Sequence, residues 1–207
     1  AVPVPKPIAE EERYAGAGIE LRRGVRIARI DPEKRHVVAH GGGALSYDRL
    51  LIATGARARV FPGMEAAWTL RSIEDAQAIL AMLGPGRRLA VIGAGFIGLE
   101  LAATARGLGA WVTVLEAAGR PMARIVPAEI AAVFEARHRA EGVSFLFGAQ
   151  VAEAGPDRIL LSDGRQIDAD VVVAGVGAVP ETRLAEDAGL AVDNGIVVNN
   201  RFLTTDP

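Results

Sequence analysis

Apolar and polar positions along this chain fall into two rhythms. Short, nearly unbroken apolar runs rich in Val, Ile and Leu read as strands at 89–92, 112–115, 143–147 and 171–174. Further strands are expected at 19–21 and 25–30 around a turn at Arg23-Gly24, at 36–39, at 50–53, and at 151–153 and 159–161. Residues 190–192 and 196–198 are expected to pair across Asp193-Asn194-Gly195, and Asp163-Gly164 has the composition of a hairpin turn. The helical rhythm places a charged helix at 8–14 and a second helix beginning at Ser72, with Ile73, Ala76, Ile79, Leu80 and Leu83 on one face. Ser72 gives an acceptor for the first turn and Asp75, three positions on, an acid near its N-terminus, and Gly84-Pro85-Gly86 ends the helix. A third helix carries Leu99, Ala102, Ala103 and Leu108. A fourth opens at Pro127 in its first turn and runs to about 140 with Ile130, Val133 and Phe134 apolar, and a short fifth runs through Leu184. Strand–helix alternation of this kind predicts an α/β fold: a parallel sheet with helices and an added antiparallel β-ribbon. Trp68 and Trp111 are expected to be packing residues.

The most informative stretch is 89–116. A strand leads into Gly93-Ala94-Gly95-Phe96-Ile97-Gly98, a helix follows, and a second strand ends on Glu116, 23 positions after Gly93. This is the dinucleotide-binding fingerprint in its expected strand–turn–helix–strand setting. Gly93 allows the tight turn, Gly95 lets a pyrophosphate approach the backbone, and Gly98 lets helix and strand pack closely. The helix N-terminus aims unpaired N–H groups at the anion, and Glu116 accepts from the ribose hydroxyls. The competing reading is a structural turn in some other α/β protein. Gly175-Val176-Gly177 ends the strand at 171–174 beside the same crevice, where open α/β sheets bind ligands, so it is read as a close approach to NAD or as a plain turn.

Charge and composition narrow the partners. The 207 residues carry 23 basic and 25 acidic side chains, which makes no case for nucleic acid or an anionic membrane surface. No apolar run has the length of a membrane span, and the first residues lack a signal-peptide core, so the expected location is cytoplasmic. Cysteine is absent, which excludes disulfides, thiolate metal sites and a redox dithiol within these residues. His36, His40 and His138 set no ligand spacing, so no metal is expected, and His138 reads as a surface or boundary residue.

Eight stretches together resemble the pyridine nucleotide–disulfide oxidoreductase superfamily, and within it the ferredoxin and rubredoxin reductases that serve oxygenases. They are YDRLLIATGARAR from Tyr47, RSIEDAQAI from Arg71, VIGAGFIGLELAA from Val91, MARIVPAEI from Met122, FEARHRAEGV from Phe134, LSDGRQIDADVVV from Leu161, VVVAGVGAVPET from Val171 and AGLAVDNGIVVNNRFLTTDP from Ala188. The resemblance implies a Rossmann-like FAD/NAD(P)-binding fold. It divides the chain into a partial FAD-binding domain at 1–71, an NAD(P)H-binding domain at 72–187, and a return segment of the FAD-binding domain at 188–207. The first glycine-rich FAD fingerprint and the Gly-Asp segment that follows TTDP in such proteins are missing, so the chain is expected to be an internal fragment that holds FAD poorly and is inactive alone.

The resemblance also assigns roles. The full-length protein would pass hydride from NADH to FAD and then electrons to a ferredoxin- or rubredoxin-like iron–sulfur protein, and a homodimer stays open. Glu100 would contact the nicotinamide carboxamide near the flavin, the alternative being a capping or salt-bridge role. Thr54 and Gly55 would lie by the flavin, with Arg57 a weaker candidate. Lys6 stands near where some relatives place a flavin-side lysine, but too close to Tyr47. Glu116 favours NADH because its charge opposes a 2′-phosphate, and Ala117 and Ala118 supply no cation. Arg120 and Arg124 either reach such a phosphate, or, for Arg120, lie near the adenosine or serve surface solvation. Other members offer alternatives: a nitrite reductase or NADH oxidase/peroxidase type, or a nucleotide-sensing interaction protein of the apoptosis-inducing type. The thioredoxin reductase type is disfavoured because its CxxC is lacking.

Overall fold

The computed structural model describes residues 6–206. In chain order the elements are α1 (Glu11–Gly16), β1 (Ile27–Asp31), β2 (His36–Ala39), β3 (Ala44–Ser46), β4 (Ala56–Ala58), β5 (Trp68–Thr69) and α2 (Ile73–Met82). Next come β6 (Arg88–Ile92), α3 (Phe96–Gly107), β7 (Trp111–Glu116), α4 (Ala128–Ala140) and β8 (Val143–Phe147). The chain continues with β9 (Val151–Ala154), β10 (Arg158–Leu161), β11 (Gln166–Asp168), β12 (Val171–Ala174), β13 (Ala178–Pro180) and α5 (Arg183–Asp187). They form two compact units, one of residues 58–178 and one of residues 6–57 with 179–206.

The first unit is built on a five-stranded parallel sheet in the order β5-β12-β6-β7-β8. Parallel strands are covered on both faces, which is why β6 and β12 are apolar at nearly every position. Successive side chains then feed two cores. Leu89, Val91, Val112, Val114, Val171 and Val173 point to the face where Ile79 of α2 and Leu99 and Ala102 of α3 pack. Ala90, Ile92, Leu115, Val172 and Ala174 point to the other face and meet Ile159 and Leu161. Those two belong to an antiparallel sheet in the order β11-β10-β9, the added ribbon of the expected fold, and it turns at Gly164 (φ 86°). Helix α2 starts as expected: Ser72 Oγ accepts from Asp75 N, and the Asp75 carboxylate accepts from Ser72 N and Arg71 N. Arg106 joins the far ends of three elements, donating to Ala110 O and Glu141 O and lying 5.7 Å from the Trp111 ring centre.

In the second unit, β1, β2 and β3 form an antiparallel sheet and α5 packs on β1. Strand β4 pairs with β13, so the chain leaves this unit and returns to it along neighbouring strands.

Several local expectations need correction. Residues 19–21 and 50–53 are not strands. The second run has the apolar composition of a strand, yet Leu51 is 86% exposed and no strand among the described residues pairs with it. Residues 190–198 hold only a bridge between Val192 and Ile196. The first helix occupies Glu11–Gly16, and Pro127 is the N-cap of α4 rather than its first-turn residue. The apolar residues Ile130, Val133 and Phe134 of α4 are exposed, because the helix packs on the small face around Ala131. Trp111 is 65% exposed and is covered by the Arg106 guanidinium rather than by the core.

Candidate functional site

The site lies at the carboxyl ends of β12, β6 and β7, and glycine shapes it. Strand β6 stops at Ile92, and Gly93 turns the chain with φ 103°, a conformation that disfavours any side chain. Its N–H donates to Leu115 O at 2.7 Å, while Gly175 N donates to Ile92 O at 2.7 Å, so the loop is tied to both flanking strands. A Cβ on Gly93 would stand 2.5 Å from Gly175 O, and one on Gly98 would stand 2.0 Å from Gly93 O. Gly175 packs beside the same point, 3.6 Å from Ile92 O and 3.8 Å from Gly98 N by the same measure. Three glycines therefore bring two strand ends and a helix start into backbone contact.

Gly95 differs from them. It is the N-cap of α3 with ordinary extended backbone, and space opens where its side chain would be. No side chain caps this helix, so the N–H groups of Phe96, Ile97 and Gly98 have no partner within it. Phe96 and Ile97, the next two residues, are half exposed.

Glu116, the last residue of β7, is held at the edge of the loop. Its Oε2 accepts from Ala94 N at 2.8 Å and its Oε1 from Ala118 N at 2.9 Å. An ionised carboxylate has about four acceptor positions, so each oxygen keeps capacity for a ligand hydroxyl. The following loop folds back through Met122, which is buried at φ 47° and donates its N–H to Ala94 O. Arg120 turns inward along that loop, donating to Pro121 O and Ala123 O, while Arg124 is exposed.

Glu100 is exposed one turn along α3 and lines an apolar cavity of about 260 Å³ with Leu70, Ile79, Leu80 and Ile97. Val176 packs against the core beneath the ribbon, and Gly177 (φ 114°) follows it. Thr54 and Gly55 fold in the other unit: Thr54 Oγ1 donates to Glu181 O, Glu181 N donates to Gly55 O, and the Glu181 carboxylate pairs with Arg57. His138 bridges two helices, its ring nitrogens 2.8 Å from Phe134 O and 3.1 Å from Leu99 O. Lys6 is exposed.

Arg59 escaped the reading of the sequence. Its N–H donates to Gly177 O at 2.9 Å and its Nη2 to Ala178 O at 3.3 Å. Among the described residues no group of His, Asp or Glu is placed to hold a metal ion, and no helix is long and apolar enough to cross a membrane.

Known proteins share sequence and fold with this chain. The family described as pyridine nucleotide-disulphide oxidoreductase matches residues 2–207. The chain is 40% identical to putidaredoxin reductase from Pseudomonas putida over 95% of its own length and 50% of that protein. It is 39% identical to the ferredoxin–NAD(+) reductase component of 3-phenylpropionate/cinnamic acid dioxygenase from Photorhabdus laumondii, over 98% of the chain and 54% of that protein. Among solved structures, the reductase of the covalent putidaredoxin reductase–putidaredoxin complex superimposes with a TM-score of 0.91 at 38% identity, over 97% of this chain and 51% of that one. The chain thus spans about half the length of the curated relatives it matches.

Proposed function

The chain belongs to the pyridine nucleotide-disulphide oxidoreductase family, and on that premise we propose that it is the NADH-binding portion of a flavoprotein reductase serving a ferredoxin- or rubredoxin-like protein. Bound NADH and FAD would supply the hydride and electron-transfer chemistry of such a reductase, and the residues of this chain would bind and orient the nicotinamide nucleotide. The names of the relatives support this electron-transfer role.

The observation that carries the reading is the glycine cradle. A Cβ at Gly93 or Gly98 would strike backbone, whereas the space above Gly95 is open in front of an uncapped helix. A pyrophosphate fits that opening: it would take the free N–H groups of Phe96, Ile97 and Gly98 and the favourable end of the helix dipole. Glu116, already oriented by Ala94 N and Ala118 N, would accept the ribose hydroxyls. Its charge opposes a 2′-phosphate, and Arg120 spends two donors on its own loop, which supports a preference for NADH over NADPH. Gly175, Val176 and Gly177 would line the other side of the crevice, Glu100 would meet the nicotinamide carboxamide, and Arg120 would lie near the adenosine, leaving the exposed Arg124 as the cation able to reach a 2′-phosphate.

We assign the unit of residues 58–178, with β5 in its parallel sheet, to NAD(P)H binding, and the unit of residues 6–57 with 179–206 to parts of an FAD-binding domain. Thr54 and Gly55 would hold the flavin side; the positive φ of Gly55 (75°) and the exposed Leu51 beside it suit a backbone turn under an aromatic ring system. Calorimetric titration of the chain with NADH, NADPH and FAD in separate runs tests the reading. Saturable NADH binding with weaker NADPH binding is expected. Absence of NADH binding overturns the nucleotide site, and equal affinity for NADPH overturns the role given to Glu116.

A further inference from the structure

The order of the strands gives the crevice a direction. Glu116 ends β7, the fingerprint helix follows β6, and β12 lies on the opposite side of β6. With the adenosine ribose at Glu116 and the pyrophosphate at α3, the nicotinamide half of a dinucleotide must extend over the end of β12. That end is the loop from Gly175 to Gly177.

Arg59 sits on this loop. Its Nε lies 3.7 Å from the point a Gly177 side chain would occupy, its backbone N–H holds Gly177 O, and its Nη2 holds Ala178 O. The residue is half-buried, its main chain is tied to Gly177, and its guanidinium reaches the loop through an exposed hydrogen bond to Ala178 O. A guanidinium carries five N–H donors, and the contacts of this one use a single donor. Among the described residues no carboxylate forms an ion pair with it, unlike Arg57, Arg88 and Arg139. A cation held against the loop with spare donors and no carboxylate partner favours an anionic, hydrogen-bonding ligand.

We propose that Arg59 is a binding residue for the nicotinamide-side phosphate and ribose of the dinucleotide. This rests on the nucleotide reading above and adds a cation that the fingerprint does not contain. The missing side chain of Gly177 then has a second purpose: it leaves room for the guanidinium to lie against the loop.

The test is calorimetric titration of the chain and its Arg59→Ala and Arg59→Gln variants with NADH and, separately, with AMP, which carries only the adenosine half. Circular dichroism and thermal unfolding check each fold. Both variants are expected to bind NADH about tenfold more weakly or worse, as for a lost charge-assisted hydrogen bond, and to bind AMP like the parent chain. The parent's NADH affinity should also fall more steeply with added salt than that of Arg59→Gln. Unchanged NADH affinity in Arg59→Gln overturns the proposal, whatever the fate of the alanine variant. Parallel losses for NADH and AMP also overturn it, since they mark a general disturbance of the loop. If the parent chain binds neither ligand, the nucleotide reading itself fails and this assignment falls with it.

Discussion

Gly95 and Gly98 stand three positions apart in one motif, yet alanine should do different things at the two sites. At Gly98 the added Cβ would lie 2.0 Å from Gly93 O and 3.2 Å from Val91 Cγ1. A carbon–oxygen contact needs roughly 3.2 Å or more, as even weak C–H···O contacts show, so α3 must lift off β6 by about an ångström. Overpacking of this kind costs about 1–3 kcal/mol, or roughly 2–4 °C of Tm for each kcal/mol in a chain of this size. At Gly95 the new methyl meets nothing within 4 Å and the backbone φ is an ordinary −80°. Gly95→Ala should therefore lose only the roughly 0.5–1 kcal/mol by which alanine is poorer than glycine at an N-cap, while its methyl occupies the space reserved for the pyrophosphate. Thermal unfolding and NADH titration of both variants separate the effects. Gly98→Ala should lose more stability and also binding, and Gly95→Ala should lose chiefly binding, by about tenfold or more if two backbone hydrogen bonds to phosphate are weakened. Full NADH affinity in a folded Gly95→Ala variant would refute the placement of the pyrophosphate. A Gly98→Ala variant with parent stability would refute the close-packing argument.

Other consequences are open to the same instruments. Glu116→Ala removes the acceptor of two backbone N–H groups and should weaken NADH by about tenfold or more, whereas Glu116→Gln should narrow the gap between NADH and NADPH; an unchanged ratio would detach the residue from cofactor choice. Arg106→Ala breaks hydrogen bonds to Ala110 O and Glu141 O and uncovers Trp111, and should cost about 2–3 kcal/mol in urea unfolding together with a shift in tryptophan emission. Hydrogen bonds from Ser72 N and then Arg71 N hold the Asp75 carboxyl below the usual range against an opposing desolvation effect. A lowered folded-state pKa means that the stabilisation is present above the unfolded value of about 3.9 and is lost as pH falls through the folded value. Asp75→Asn should thus cost about 1 kcal/mol at neutral pH and much less at low pH. Equal gaps at both pH values would show that the cap does not depend on ionisation.

The central sheet was legible because burial on both faces leaves strands no choice but apolar residues, and four such runs stand out in sequence as β6, β7, β8 and β12. Ser72 with Asp75 was legible because a capping box is a purely local contract between neighbouring residues. Strands β4, β5 and β13 were not, since two or three residues cannot show a period and they exist only through pairing with distant segments. The helical spacing of Ile130, Val133 and Phe134 marked a face correctly and its burial wrongly, because the contact of α4 with the sheet is made through Ala131. In the site, the spacing of Gly93, Gly98 and Glu116 predicted their common location. The grip of Ala94 N on Glu116 depends on the loop's path, and Arg59 meets an acceptor 119 positions away, so neither leaves a local signature.

The first and last residues of the parallel-sheet unit are neighbours. Arg59 N bonds Gly177 O, and the strands that carry the chain in and out are paired. A segment whose two ends already touch can be spliced into a surface turn of a host protein without pulling that turn apart. The unit from 58 to 178 thus has the form of a cassette. Joining residues 57 and 179 with a short loop would close the host, and the excised piece is suited to grafting elsewhere.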